Sequence, residues 1–256
     1  MQNQIYLSYT EVQHIFAIKL QIINHLNSLQ MSIYWIIFIG TAIASWVVQA
    51  SLQSKFKKYS KVALPYGMTG ADVARKMLRD NGITDVQVTS TPGHLTDHYN
   101  PQTKVVNLSE SVYHSCSIAA AAVAAHECGH ALQHAQAYAP LKMRSALVPV
   151  VSFASQWVMW ILLAGMLLIN SFPSLMLFGI VLFAMTTLFS FITLPVEINA
   201  SQRAVKWLLS AGITNDRTTS MAESALRSAA YTYVVAALSS LATLLYYVMI
   251  FLGRRD

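Results

Sequence analysis

Charge disappears from three stretches of this chain. Residues 20–54, 145–196 and 228–253 contain no Asp, Glu, Lys or Arg. A helix rises about 1.5 Å per residue, so roughly 20 mostly apolar residues cross the 30 Å hydrocarbon layer of a bilayer. The first stretch predicts one span at residues 31–52, centred on Ile33 to Val48. The second is long enough for two, at 147–169 and 174–195, parted by the turn-forming group Asn170, Ser171, Phe172, Pro173 and Ser174. The third predicts a span at 231–252. Helices buried in a soluble core seldom run uncharged for so long. The 256-residue composition, 55% hydrophobic and 11% charged, points the same way.

Between the spans the pattern changes. Thr69 is placed to cap a helix through Ala71, Val73, Ala74, Met77 and Leu78, ending near Asn81-Gly82. Short alternating runs at 85–90 and 104–109, with turn residues between them, predict two or three strands of a small sheet. A further helix is expected from Ser117 to about Gln136, rich in alanine. The predicted fold class is therefore a mainly α membrane protein, with four transmembrane helices and a small α+β domain at residues 53–146. Residues 196–229 form a second segment on the same side as that domain. Residues 1–30 are polar to weakly amphipathic and are expected to be an N-terminal tail, with no basic start to suggest a secretory leader.

Basic residues set the expected orientation. Residues 55–144 and 197–227 fall on one side of a four-span protein and hold 14 of the 17 Lys and Arg. Lys55, Lys57, Lys58 and Lys61 follow the first span directly, where the positive-inside rule is strongest. That side is predicted to be cytoplasmic, with both termini outside. Arg254 and Arg255 run mildly against the rule. The net charge of +6 is accounted for by topology and anionic lipid, so the lipid bilayer is a predicted partner and nucleic acid is not.

The candidate chemistry lies in His126-Glu127-Cys128-Gly129-His130. On a helix, positions i and i+4 share a face, so two imidazoles can converge on one tetrahedral ion while Glu127 stands beside it as a proton acceptor for water. With 8 His and 5 Glu in the chain, such a pattern is expected by chance roughly 0.005 times, which makes it a specific sign of a zinc peptidase with one Zn²⁺ per chain. A hydrolytic zinc takes three protein ligands. Metzincin spacing would place Gly at 133 and His at 136, where the chain has Gln133 and Gln136, so that class is excluded. Glu197 has the strongest case for third ligand, because it ends an uncharged run on the side of the motif and a carboxylate there needs a partner. The alternatives are Glu223 as ligand, or Glu197 as an interfacial acid paired with Arg203. His134 is too far along the helix to share the ion with His126 and reads as a polar neighbour of the site. Glu110 and Asp97 are candidates for orienting an imidazole. Cys116 and Cys128 would be about 18 Å apart on one helix, too far for a disulfide, and Cys128 is expected to be a small buried residue.

Several segments together resemble the YugP-like neutral zinc metallopeptidases, a bacterial family of membrane proteins. They are Thr69-Gly70-Ala71 with Val73-Ala74, Leu95 through Pro101, Leu108-Ser109 with Val112-Tyr113, Ala124 through His134, and Leu194-Pro195-Val196-Glu197 through Ser201. The resemblance implies a zincin-like domain of gluzincin type, with His126, His130 and Glu197 on zinc and Glu127 as general base, in a bacterial cell membrane. It also suggests kinship with HtpX-like peptidases. Asn199 and Ser201 stand where relatives often carry acids, so both are candidates for the layer behind the ligands. The implied substrate is a peptide or protein, with the 104–109 strand as the edge that aligns it. His98, Tyr99 and Arg203 are candidate substrate or oxyanion contacts. An inactive zinc-binding scaffold and a metal carrier are the rival readings.

Overall fold

The computed structural model describes residues 9–253 except residue 94, with side chains from residue 32 onward apart from residue 66. In chain order, α1 (Tyr9–Tyr59) leads to α2 (Gly70–Asp80), the strands β1 (Gln87–Thr91), β2 (His98–Asn100) and β3 (Val105–Ser109), and the short α3 (Glu110–Tyr113). Then come α4 (Ile118–Ala135), α5 (Ala139–Leu167), α6 (Pro173–Ser210) and α7 (Asp216–Gly253). Four of these helices, α1 from Ser32 onward, α5, α6 and α7, are long and apolar enough to cross a membrane. α5 packs on α6, α6 on α7 and α7 on α1. Their outer faces carry bare apolar side chains, such as Trp46 at 72% and Leu167 at 79% exposure. Surfaces of this kind are stable against lipid and not against water. α5 and α6 approach closely at Gly165, where a Cβ would lie 2.7 Å from the Met176 Cα. Small residues at such crossings let backbones touch where hydrophobic driving force is absent.

Local signals account for the elements between the spans. The Thr69 hydroxyl accepts from the Asp72 amide at 3.1 Å, while the Asp72 carboxylate takes the Thr69 N–H at 3.1 Å and its hydroxyl at 2.6 Å. This reciprocal cap starts α2 and holds the Asp72 carboxyl below its ordinary pKa. The Ser117 hydroxyl caps α4 by accepting from the Ala120 amide at 3.2 Å. The alanines of α4 are almost wholly buried and allow α2, β3 and the ends of α6 and α7 to close around it. One core joins Val73 and Met77 of α2, Val106 and Leu108 of β3, Leu208 of α6 and Leu226 of α7. Each such side chain contributes about 1.5–3 kcal/mol of burial.

Two findings differ from the sequence expectations. The four long helices extend beyond the apolar segments: α1 starts before residue 31, α5 before 147, and α6 runs unbroken through Pro195 to Ser210. The ends of α6 and α7 beyond the apolar runs are packed in the shared core through Trp207, Leu208, Ala222 and Leu226, which hydropathy does not register. Residues 1–8 of the expected tail lie outside the described residues. The strand at 104–109, expected as an edge, is instead the centre of the sheet, in the order β1-β3-β2. β3 pairs in parallel with β1 and antiparallel with β2, with Tyr99 opposite Val106. Its buried Val106 and Leu108 demand that central position, and the three-residue β2 becomes the edge.

Candidate metal centre

α4 and α6 cross where His126, Glu127 and His130 face Glu197. The crossing is tight because residue 129 is glycine. A Cβ there would lie 2.6 Å from the Ala200 carbonyl oxygen, so no larger residue fits without parting the helices. The Glu197 carboxylate reaches across, with Oε2 3.3 Å from His126 Nε2 and 3.6 Å from His130 Nε2. The three ligand atoms lie within 4.8 Å of one another. A tetrahedral ion with bonds of about 2.0–2.1 Å separates its ligand atoms by roughly 3.4 Å, so this set of two imidazole nitrogens and one carboxylate oxygen fits zinc. The carboxylate is 5% exposed and the imidazoles 15% and 12%.

A second layer fixes the orientation of each group. Gln133, fully buried, donates its amide N–H to the Val196 carbonyl at 2.7 Å and to Asn199 Oδ1 at 3.1 Å. Its oxygen therefore faces His130 Nδ1, at 3.0 Å. That nitrogen must carry the proton, which leaves Nε2 as the ligand atom. His126 Nδ1 meets the Ser201 hydroxyl at 3.1 Å. The Tyr99 amide donates to Glu127 Oε2 at 3.0 Å and turns that carboxylate toward β2. On the far side, Arg144 Nη1 stands 3.6 Å from Glu197 Oε1. Burial disfavours a charged His130, but the Glu197 and Glu127 carboxylates outweigh it and raise the imidazole pKa. Complete burial pushes the Cys128 thiol far above its usual range, so it is an inert core residue. Both cysteines are free.

The remaining candidates are distributed as follows. His134 Nδ1 meets the Tyr99 hydroxyl at 3.1 Å, and both line the cavity in front of the centre. His98 lines it too, with Nδ1 on the Thr96 carbonyl and Nε2 facing Asn107. Asp97 borders the cavity but gives its carboxylate to the Ser109 amide and hydroxyl, not to an imidazole. Arg203 donates to Asn199 at 2.7 Å and Gln136 at 2.6 Å, and does not pair with Glu197. Glu223 pairs with Arg227 on the exposed face of α7, and Glu110 opens α3. Sequence reasoning missed Gln133, Arg144, Tyr233 and the Tyr99 amide. Gln133 lies three residues after His130 on one helix face, which is a signal that spacing offers; the others depend on the fold.

The match to known proteins decides the family. Residues 34–252 match the family described as "Putative neutral zinc metallopeptidase". The chain belongs to this family. It is also 48% identical, over 212 residues, to "Putative membrane protease YugP" of Bacillus subtilis (strain 168), covering 83% of this chain and 93% of that one. No solved structure matches the chain.

Proposed function

We propose that the protein is a membrane-embedded zinc metalloendopeptidase of gluzincin type, with a zincin-like catalytic domain on the cytoplasmic side. The observation that carries this is the meeting of His126, His130 and Glu197 within 4.8 Å, from two helices, with Glu127 beside them. These three residues would hold one Zn²⁺, which supplies Lewis acidity and a lowered water pKa when bound. Glu127 is the general base: it takes a proton from the attacking water and later gives it to the leaving amine. The Tyr99 amide holds that carboxylate in place through one oxygen, at 3.0 Å, which leaves the other oxygen for the proton. Gln133 holds the His130 tautomer, and Ser201 orients the His126 ring.

The substrate groove follows from the sheet. A cavity of about 640 Å³ opens before the centre, bounded by residues 97–102, by α4 and by the start of α5. β2 is the edge strand on the side of the centre, and the Tyr99 N–H points away from β3 to Glu127, so the Tyr99 carbonyl faces outward as well. An extended peptide of a membrane-associated protein would add alongside β2 and bring its scissile bond to Glu127. The cytoplasmic placement rests on Lys55, Lys57, Lys58 and Lys61 at and just beyond the end of α1, and on Lys142, Arg144, Arg203 and Lys206 flanking the apolar runs of α5 and α6.

The Glu127→Gln variant tests this reading against a scaffold or carrier. A peptidase keeps its zinc and loses cleavage of an unfolded or membrane substrate. A variant that still cleaves refutes the mechanism, and a cellular function that survives the substitution favours a scaffold or carrier.

A further inference from the structure

The cavity has two walls, one from the sheet and one from the helices. On the sheet wall the His98 and Tyr99 side chains are engaged by their own fold. His98 is held by Thr96 and Asn107, the Tyr99 hydroxyl meets His134, and Asn100 Oδ1 accepts from the Gln102 and Thr103 amides. On the opposite wall stand Arg144 of α5 and Tyr233 of α7. Arg144 is the one Lys or Arg among the described lining residues. It approaches the Glu197 oxygen turned away from the histidines and lies 6.0 Å over the Phe189 ring. Tyr233 borders both this cavity and the adjoining smaller pocket, each of which also contains His126, Glu127 and Glu197. Both cavities bring the Tyr233 side chain and the Glu197 carboxylate onto one surface. As a lining residue of both, Tyr233 is open to the cavity.

Resting on the peptidase reading above, we propose that Tyr233 is a catalytic residue that donates its hydroxyl hydrogen to the substrate carbonyl oxygen as negative charge develops there. Arg144 is a positioning residue that holds Glu197 from behind. In the addition step the water oxygen bonds to the carbonyl carbon, the water proton goes to Glu127, and the π pair moves to the carbonyl oxygen. In collapse that pair re-forms the carbonyl, the C–N bond breaks, and Glu127 returns the proton to nitrogen. Charge on the oxygen must be met from the side away from Glu127, and the Tyr99 amide ties Glu127 to the sheet wall. The donor then belongs to the helix wall. A neutral phenol suits the task, because it can exchange a carboxylate neighbour for the oxyanion without breaking an ion pair. Arg144, bound to Glu197 and stacked on Phe189, is less able to do so.

The test uses the full chain in detergent and a peptide that the wild type cleaves. Tyr233→Phe is expected to lower kcat about 10²–10³-fold, the usual effect of losing one preorganised oxyanion donor. KM should stay within about threefold, because the interaction belongs to the transition state. Zinc affinity by chelator competition and the melting temperature of the metal-free protein should match wild type. An unchanged kcat overturns the assignment. So does a loss of zinc affinity parallel to the loss of cleavage, which would make Tyr233 only a support for Glu197, or a raised KM with kcat intact. Glu127→Gln run alongside separates the two levels: an active Glu127→Gln sinks the peptidase reading, whereas an inactive Glu127→Gln with a fully active Tyr233→Phe sinks this inference alone.

Discussion

Gly129→Ala should damage the metal centre without touching a ligand. The added methyl would lie 2.6 Å from the Ala200 carbonyl oxygen and 3.1 Å from its carbonyl carbon and Cα. Close C···O contacts settle near 3.3 Å, so α4 and α6 must separate by about 0.7 Å. Both colliding groups are helical backbone, so neither can swing aside. Alanine gains about 1 kcal/mol of helix propensity over glycine, while overpacking costs about 1–3 kcal/mol. The net destabilisation is therefore small, about 0–2 kcal/mol. The larger effect falls on function. Glu197 lies one turn before Ala200 on α6, and its Oε2 must stay within reach of both imidazoles. Moving it should weaken zinc about 10–100-fold, the range seen when groups that orient ligands are lost. Chelator competition against a zinc indicator measures this, with thermal melting of the metal-free protein alongside. Gly40→Ala, at a position with no atom within 4 Å of the new Cβ, is the control: it should leave zinc affinity intact and melt no lower than wild type. A Gly129→Ala protein that binds zinc as wild type and melts higher would refute the close crossing.

Gln133→Met removes three hydrogen bonds at a fully buried site; urea unfolding should record a loss of about 1–3 kcal/mol, and zinc affinity should fall about 10–100-fold. Glu197→Gln should strip zinc from the purified protein in elemental analysis while Glu223→Gln, altered on the exposed face of α7, keeps it. Thr69→Ala removes the α2 cap and should cost about 1 kcal/mol by thermal or urea melting. Because Thr69 and its neighbours lower the Asp72 pKa in the folded state, that part of the stability is present above about pH 3.8 and lost as pH falls through the lowered value. Acid titration of Asp72→Asn should lack this component.

Local physics made much of the fold legible. Ser117 and Thr69 announce their helices because a cap is a contact within three residues, and the spans stand out because charge in a bilayer is costly. Glu197 was legible for the same reason, as the first charge after a long uncharged run. What escaped was set by contacts distant in sequence. Gln133 reaches Val196 and Asn199, more than 60 positions away, and Arg144 and Tyr233 share a cavity with Glu197 only because α5 and α7 flank α6. Nothing in residues 104–109 distinguishes an edge strand from a central one, and the three-residue β2 that takes the edge has almost no pattern of its own. Arg203, a reasonable partner for Glu197 by proximity in sequence, is drawn one turn along α6 to Asn199 and across to Gln136.

The central claim is that one ion is held by two histidines of α4 and a carboxylate of α6. X-ray absorption at the zinc edge of the purified, zinc-loaded protein reads that first shell directly. The account predicts two imidazole nitrogens at about 2.0–2.1 Å with oxygen completing the shell, and no sulfur near 2.3 Å. A spectrum with sulfur, with no imidazole scattering, or with six oxygens typical of loosely bound zinc would contradict it.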